Sequence, residues 1–280
     1  MTPGMHADDA PHADGAPAAA GPLLVNDISG VRILTLHRPA AFNSFDLALK
    51  DALLAALTDA GADHSVRAVV ITGSGRAFCA GQDLKQHLEL VRADDPRIAS
   101  TVRDFYNPAI SAIVGMPKPV VAAVNGAAAG AGAALAYACD LRIAATSASF
   151  SMAFAGVGLS ADSGASFTLP RLIGAGRASR MMLLGEAVDA AEALRIGMVD
   201  EVVPDADLTT RVAEVAGALA AGPTEAYARI KASLHSAARS DLATTLEFEA
   251  TAQAELFAGT DHHEAINAFV EKRKPRFQGR

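Results

Sequence analysis

The sequence predicts an α/β fold in which a strand-and-helix core is followed by a purely helical region. Segments rich in Val, Ile and Ala alternate with segments of helical periodicity as far as residue 205, and the periodicity beyond that point is helical. Glycine, proline and capping residues separate these segments. We therefore divide the chain into a tail (1–22), an α/β core (23–205) and a helical C-terminal region (206–280).

Alternating apolar and polar residues indicate the first strands. Residues 23–26 and Val31–Leu36 lie on either side of a turn at 29–30, so we expect them to form an antiparallel pair. Further strands are predicted at 68–72, Val120–Val124, Leu141–Ala145 and 199–203, the last of which ends at Pro204.

Helices are predicted between these strands and after them. Asp46 is a suitable N-cap for a helix reaching about residue 59, and Asp83 is one for a helix after a glycine-rich turn. The other predicted helices are 96–114, one from about Gly130, 177–184, 190–196, 207–221, 224–238, 241–257 and 261–272. The last four have apolar faces that either the core or another copy of the chain must cover, and the sequence leaves both possibilities open.

Bulk composition argues against several classes of function. A net charge of −7 on 280 residues provides no basic field to attract nucleic acid or anionic lipid. Cys79 and Cys139 are too few for a disulfide framework and lack metal-ligand spacing, which favours a reducing cytoplasm and no metal site. Residues 1–22 lack a signal peptide's apolar region and are predicted to be disordered, and glycines interrupt the apolar stretch 120–138, which argues against a membrane span.

Two glycine-rich segments, 73–84 and 124–135, each join a predicted strand to the start of a helix. The N–H groups at a helix start have no intrahelical partner, so such a turn suits an anion or a developing oxyanion. Taken singly, either segment is more readily explained by turn formation and tight helix packing. Neither has the Gly-Lys-Ser/Thr of a phosphate loop or the third glycine of a dinucleotide fingerprint, so ATP and NAD are not supported.

Five ordered stretches of the chain resemble the enoyl-CoA hydratase/isomerase (crotonase) family, and the similarity covers most of residues 23–280. These stretches are LHRPAAFNSF (36–45), RAFCAGQDL (76–84), KPVVAAVNG (118–126), ALRIGMV (193–199) and FVEKRKPRF (269–277). The resemblance implies a crotonase-like spiral of ββα units, with two packed sheets surrounded by helices and a helical C-terminal trimerisation region. It also implies a homotrimer or a dimer of trimers that acts on small-molecule acyl-CoA, with coenzyme A entering as part of the thioester and no permanently bound cofactor.

The resemblance also assigns residues to the site. It implies that the backbone N–H groups of Gln82 and Ala131 bind the thioester oxygen, with Ala131 in place of a family glycine. The further positions matched to acyl-CoA contacts are Arg38, Ala40, Phe42, Ala77, Ala80, Gly81, Asp83, Leu84, Lys118, Gly126, Gly130 and Lys272. Arg38, Lys118 and Lys272 are candidates for the phosphates of coenzyme A, although a solvated charge is the usual explanation for any one of them.

The chain departs from the family where its hydratases carry two glutamates, since the matching positions are Ala134 and Phe154. Neither side chain can transfer a proton, so hydration by that mechanism is disfavoured. Asp162 remains, in a stretch (150–164) that resembles the ring-epoxide isomerases of phenylacetate breakdown. In dienoyl-CoA isomerases, which this stretch also resembles, an aspartate at the matching position takes part in catalysis. From the residues alone, a helix N-cap explains Asp162 equally well. Phe154, Val157, Leu159 and Phe167 are candidates for excluding water around it.

These observations favour an isomerase that uses Asp162 as both base and acid. It would shift a double bond from 3-enoyl-CoA to 2-enoyl-CoA or rearrange an epoxyphenylacetyl-CoA ring through a stabilised enolate. Two alternatives stay open: a hydratase that uses Asp162 and water, and a non-catalytic acyl-CoA-binding or scaffold protein.

Overall fold

The computed structural model describes residues 21–279. The tail predicted to be disordered therefore lies outside the described residues except for Gly21 and Pro22. The carbonyl of Pro22 accepts a hydrogen bond from the N–H of His37 at 2.7 Å.

Strands and short helices alternate up to residue 203, and helices follow. The strands are β1 (Leu23–Ile28), β2 (Val31–Leu36), β3 (Ala68–Gly73), β4 (Ala77–Cys79), β5 (Val120–Val124), β6 (Ala127–Ala129), β7 (Leu141–Ala145), β8 (Ser149–Ser151), β9 (Val188–Asp189) and β10 (Glu201–Val203). The helices are α1 (Leu47–Ala62), α2 (Leu84–Arg92), α3 (Arg97–Thr101), α4 (Asn107–Gly115), α5 (Ala131–Ala138), α6 (Ala165–Ile173), α7 (Ala175–Leu184), α8 (Ala190–Arg195), α9 (Leu208–Ala220), α10 (Thr224–Ala237), α11 (Leu242–Phe257) and α12 (Thr260–Val270).

The larger sheet contains the strands predicted from the sequence. Its order is β1-β2-β3-β5-β7-β10, with β1 and β2 antiparallel as expected and the other neighbours parallel. β3 and β5 are almost entirely buried and apolar, as strands covered on both faces should be. The Asp46 carboxylate accepts from the N–H of Leu49, which confirms the N-cap of α1.

A second, four-stranded sheet has the order β4-β6-β8-β9 and was not predicted as strands. Its strands are only two or three residues long, too short for a side-chain alternation to be recognised. Its first three strands run parallel.

Three consecutive ββα units connect the two sheets. In each unit the first strand lies in the larger sheet, the second lies in the smaller sheet, and a helix follows: β3-β4-α2, β5-β6-α5 and β7-β8-α6. This arrangement is the spiral of ββα units expected for a crotonase-like fold. Because β4, β6 and β8 are parallel neighbours, the segments that follow them leave from the same edge of the smaller sheet.

The main core lies between the sheets and their flanking helices, with Phe45, Phe78 and Phe150 among its largest buried side chains. A smaller core lies between the other face of the larger sheet and α9, which buries Leu208, Val212, Ala216 and Ala220. Helix α9, the first long helix after residue 205, therefore covers this face of the larger sheet.

Helices α10 to α12 bury little of their apolar surface within one chain. Ala252 is the one buried residue that the structure records in α11, and α12 buries Asp261 and Ala268. Large apolar side chains on these helices and at their ends remain exposed, namely Ile230, Leu234, Leu242, Leu246, Phe257, Ile266, Phe269 and Val270. The core of the same chain therefore leaves these apolar side chains uncovered.

Candidate active site

The first glycine-rich turn, residues 80–83, joins β4 to α2 and is fixed by hydrogen bonds to neighbouring segments. The Asp83 carboxylate accepts from the N–H groups of Lys85 and Gln86, which confirms the predicted N-cap. Phe45 donates its N–H to the Gly81 carbonyl at 2.7 Å and accepts from the N–H of Asp83 at 3.1 Å. These bonds do not use the N–H of Gln82, which has no hydrogen-bond partner within residues 21–279.

The second turn joins β6 to α5. Gly130 donates its N–H to the Ser151 carbonyl at 2.9 Å, and the helix begins at the next residue. The N–H of Ala131 belongs to the first helical turn and has no acceptor among the described residues. Alanine adopts the helical conformation without strain, so the replacement of the family glycine leaves this donor in place.

The two turns contact each other at Gly81 and Ala131. A Cβ atom added to Gly81 would lie 2.8 Å from the Ala129 carbonyl oxygen and 3.4 Å from the Ala131 nitrogen. Helix α5 and the end of β4 approach even more closely at Gly132, where a Cβ would lie 2.2 Å from the Cys79 carbonyl oxygen. The unpaired N–H groups of Gln82 and Ala131 therefore belong to adjacent turns, which is the arrangement an oxyanion hole requires.

Asp162 lies in the segment between β8 and α6, and its carboxylate interacts with the charge of Lys50 on α1. It is half-buried, and its Oδ1 accepts a hydrogen bond from the Ser163 hydroxyl at 2.8 Å. Burial raises the pKa of Asp162 above its usual value, while the Ser163 hydrogen bond and the charge of Lys50 act in the opposite direction. A half-buried carboxylate with a raised pKa is suited to taking up a proton.

The N-cap interpretation of Asp162 is wrong. Helix α6 begins at Ala165 with Gly164 at the N-cap and has no side-chain cap. The Asp162 carboxylate instead bonds to its neighbour Ser163. Ser163 itself is 1% exposed and adopts a φ of 52°, an unusual conformation for a residue other than glycine.

The two positions that match the family's glutamates are apolar and close to the turns. Ala134 is fully buried in α5, and its N–H donates to the Gly130 carbonyl. The Phe154 ring approaches Gly130, since a Cβ built there would lie 3.9 Å from Phe154 Cζ. Since neither Ala134 nor Phe154 can transfer a proton, Asp162 remains the candidate for that role.

The segment containing Arg38 and Phe42 packs beside the first turn. Arg38 forms ion pairs with Asp46 and Asp83, both at 2.9 Å, so its guanidinium already holds α1 and α2 together. The Phe42 carbonyl accepts from the N–H of Ala80 at 3.0 Å. Of the other candidate contacts, Ala40, Ala80 and Leu84 are exposed around this segment, whereas Ala77 and Gly126 are buried beneath it.

Lys118 already bonds to backbone carbonyls, and Lys272 lies in the helical C-terminal region. Lys118 lies just before β5, whereas the second turn follows β6. It is 5% exposed and donates from Nζ to the carbonyls of Ala60 and Asp63. Lys272 is exposed just beyond α12 in the helical C-terminal region. Within residues 21–279, no hydrogen bond joins either lysine to Gln82 or Ala131.

Of the four side chains proposed to exclude water, Phe154 has the clearest support. Val157 and Leu159 are 52% and 58% exposed in the segment that leads to Asp162. Phe167 contacts the guanidinium groups of Arg171 and Arg239, with centroid distances of 3.5 and 5.5 Å, and so packs toward α10.

Sequence reasoning missed two polar residues next to Gln82. Lys50 donates from Nζ to Gln82 Oε1 at 2.7 Å, and the Tyr106 hydroxyl donates to the same oxygen at 2.6 Å. One sequence signal was present, because Lys50 occurs at helical spacing with Leu53 and Leu57 on the buried face of α1. Sequence reasoning also left Ser163 without a role.

Ser163→Ala is expected to lower kcat by about tenfold, the usual effect of losing a hydrogen bond to a charged group. The hydroxyl lowers the pKa of Asp162, so its removal should also move the acid limb of the kcat/KM profile to higher pH. Steady-state kinetics across pH would measure both effects. Ser233→Ala, which removes a hydroxyl bonded to a carbonyl within α10, is the matched control. An acid limb that does not move in Ser163→Ala would show that the Ser163 hydroxyl does not lower the pKa of Asp162.

Across the part of the chain that the structure describes, no helix combines the length and apolar character needed to cross a membrane. The same residues contain no group of three His, Cys, Asp or Glu side chains placed to hold a metal ion.

The spiral of ββα units between two sheets, with two unpaired amides in adjacent turns, defines a crotonase-like protein. The sequence model described as enoyl-CoA hydratase/isomerase matches residues 27–280, and the chain belongs to that family. A Rhodobacter capsulatus protein named "Probable enoyl-CoA hydratase" is 44% identical over 251 residues, covering 90% of this chain and 95% of that protein. The 1,2-epoxyphenylacetyl-CoA isomerase of Escherichia coli is 40% identical over 251 residues, covering 90% and 96%. A crystal structure of an enoyl-CoA hydratase from Bacillus anthracis superposes with a TM-score of 0.87 at 34% identity, covering 92% of this chain and all of that one.

Proposed function

We propose that this enzyme is an isomerase of unsaturated acyl-CoA, acting on a chain double bond or on an epoxyphenylacetyl ring. The observation that carries the proposal is the half-buried carboxylate of Asp162, which interacts with the charge of Lys50 beside Gln82, together with Ala134 and Phe154 at the positions of the hydratase glutamates. Adding water requires a group to position that water, whereas moving a double bond requires one group that accepts and returns a proton.

In the proposed reaction, the thioester oxygen of 3-enoyl-CoA accepts hydrogen bonds from the N–H groups of Gln82 and Ala131. Asp162 removes a proton from C2, and the electron pair of the broken C–H bond delocalises onto the thioester oxygen. Each amide supplies about 3 kcal/mol of transition-state stabilisation. Protonated Asp162 then returns the proton to C4, which leaves the double bond between C2 and C3 and restores the carboxylate.

The relatives support the acyl-CoA class but carry different reaction names. One is named as a hydratase and another as an isomerase of an epoxidised phenylacetyl-CoA. The choice between the reactions therefore rests on the apolar Ala134 and Phe154, which favour the isomerase. Coenzyme A is part of the substrate in this proposal, and we place the enzyme in the reducing cytoplasm.

To test the proposal, the purified protein is incubated separately with 3-enoyl-CoA, 2-enoyl-CoA and epoxyphenylacetyl-CoA. Double-bond migration or ring rearrangement, followed by mass spectrometry and the absorbance of the conjugated thioester, is the expected result. Formation of 3-hydroxyacyl-CoA without migration would establish the hydratase instead. Binding of acyl-CoA without turnover of any of the three substrates would favour the non-catalytic protein.

The exposed apolar surface of α10 to α12 supports a second proposal, that copies of this chain cover it in a homotrimer or a dimer of trimers. Leu234 and Phe269 are 68% and 83% exposed within one chain, and apolar surface of this extent marks an interaction site. Sedimentation equilibrium is expected to give three or six times the 28.7 kDa chain mass. Leu234→Asp should shift the distribution toward monomer, whereas a wild-type monomer would refute the proposal.

A further inference from the structure

Lys50 is buried in an unusual environment. It lies on α1 and is 3% exposed. Its Nζ donates to two neutral oxygens, Gln82 Oε1 at 2.7 Å and Thr101 Oγ1 at 2.5 Å, and lies 4.8 Å from the centroid of the Tyr106 ring. Lys231, another buried lysine, instead forms an ion pair with Asp140 at 2.7 Å. A buried ammonium costs free energy unless it is compensated, so the position of Lys50 requires an explanation.

Tyr106 reaches the same glutamine from another element. Its hydroxyl donates to Gln82 Oε1 at 2.6 Å. Residues Val102–Tyr106 form a π-helical segment between α3 and α4, and such segments occur frequently at functional sites. The ring is fixed by edge contacts with Phe45 and Phe105, at centroid distances of 5.9 and 5.1 Å. Two donors from separate elements therefore hold the side chain of Gln82.

We propose that Lys50 is a positioning residue, whose buried ammonium holds Gln82 so that its backbone N–H faces the substrate oxygen and whose positive charge acts on the Asp162 carboxylate. This inference rests on the proposed function. Anchoring the Gln82 side chain limits rotation of the residue that carries the first oxyanion donor, and preorganised donors of this kind are the main source of electrostatic catalysis.

The charges around this cluster are consistent with the second part of the proposal. Burial lowers the pKa of Lys50 to about 8, while Asp162, and Asp46 and Asp51 from the region of α1, favour its charged form. The Lys50 charge in turn lowers the pKa of Asp162, against the larger effect of burial. Burial, followed by the charge of Asp162, raises the pKa of Tyr106, which keeps its hydroxyl protonated as a donor.

Lys50→Met removes the charge and the hydrogen bonds to Gln82 and Thr101 while keeping a similar side-chain length. The variant is expected to fold, because methionine fills the buried site without a charge to desolvate. We expect kcat to fall about ten- to hundredfold, with a smaller change in KM, and the acid limb of kcat/KM to move to higher pH. Lys274→Met, at an exposed lysine, is the matched control.

Two further variants separate the hydrogen bond from the charge. Lys50→Gln retains a donor for Gln82 without the charge, so it should move the acid limb as Lys50→Met does but lower kcat less. Tyr106→Phe removes the other donor and leaves the charge, so it should lower kcat without moving the acid limb. Lys50→Gln also tests the proposal if Lys50→Met does not fold.

A measurement that does not depend on turnover distinguishes this inference from the proposed function. The Asp162 carboxyl can be titrated by ¹³C NMR in the wild type, Lys50→Met and Lys50→Gln, with Asp162→Asn identifying its signal. A higher Asp162 pKa in both Lys50 variants is expected. If the Asp162 pKa rises in the variants but the wild type turns over no substrate, the proposed function fails, whereas the effect of the Lys50 charge on Asp162 is supported. If neither the pKa nor the acid limb moves, Lys50 has only a structural role and the inference is overturned.

Discussion

Asp162→Asn is expected to lower kcat by about 10²–10⁴-fold, the usual contribution of a general acid–base residue. The amide can still accept the Ser163 hydroxyl, so the segment after β8 should keep its conformation, but it cannot take a proton from C2. Acyl-CoA binding should change little. Single-turnover kinetics with the best substrate, together with calorimetric binding of a saturated acyl-CoA, would measure the two quantities.

The same substitution has an expected effect on stability. Burial raises the pKa of Asp162 in the folded state, so folded protein binds more protons than unfolded protein between the unfolded and folded pKa values. The wild type therefore loses stability relative to Asp162→Asn as pH rises through that interval. At neutral pH the variant should have an equal or higher Tm. Asp94→Asn, at an exposed positive-φ position that asparagine tolerates, is the control, and unchanged turnover in Asp162→Asn would refute the catalytic assignment.

Gly81→Ala is expected to lower kcat by about 10²–10³-fold, comparable to the loss of one oxyanion donor. The new Cβ would lie 2.8 Å from the Ala129 carbonyl oxygen, and the φ of +84° is unfavourable for alanine. The backbone must therefore shift at the point where the two turns meet, which displaces the N–H groups of Gln82 and Ala131. A free energy of unfolding lower by about 1–3 kcal/mol should accompany the change.

Kinetics and urea denaturation of Gly81→Ala and Gly61→Ala would test this prediction. Gly61 lies in α1, and a Cβ there would have no atom within 4 Å, so its replacement should stabilise the helix by up to about 1 kcal/mol. A Gly81→Ala enzyme with wild-type kcat would show that the two turns do not form the oxyanion hole.

The larger sheet could be predicted because its strands contain runs such as Val120–Val124, in which β-branched residues are buried on both faces. Helix starts were predictable where a carboxylate caps them, as at Asp46 and Asp83. The smaller sheet could not be predicted, since a strand such as Val188–Asp189 is too short to show a period. Its existence depends on pairing between residues distant in the chain.

The candidate site was predictable where a local motif carries it. The unpaired amides of Gln82 and Ala131 follow from a glycine-rich turn before a helix, and this pattern is visible in the sequence. Lys118 and Lys50 show the limit, because both are charged residues whose partners come from other elements. Lys118 was assigned to substrate although its Nζ bonds to backbone carbonyls, and Lys50 was overlooked although it contacts Gln82.

The close packing of α5 has a consequence for how substrate preference can change. Every residue of this helix is buried, and Gly132 lies against the Cys79 carbonyl, so any larger side chain there disturbs the turns themselves. In contrast, Leu84, Leu88 and Val91 form an exposed stripe on α2, and Val157 and Leu159 are exposed before Asp162. A directed-evolution library aimed at a new acyl group therefore has room to vary these five surface positions, whereas substitutions in α5 would be removed by selection for a folded protein.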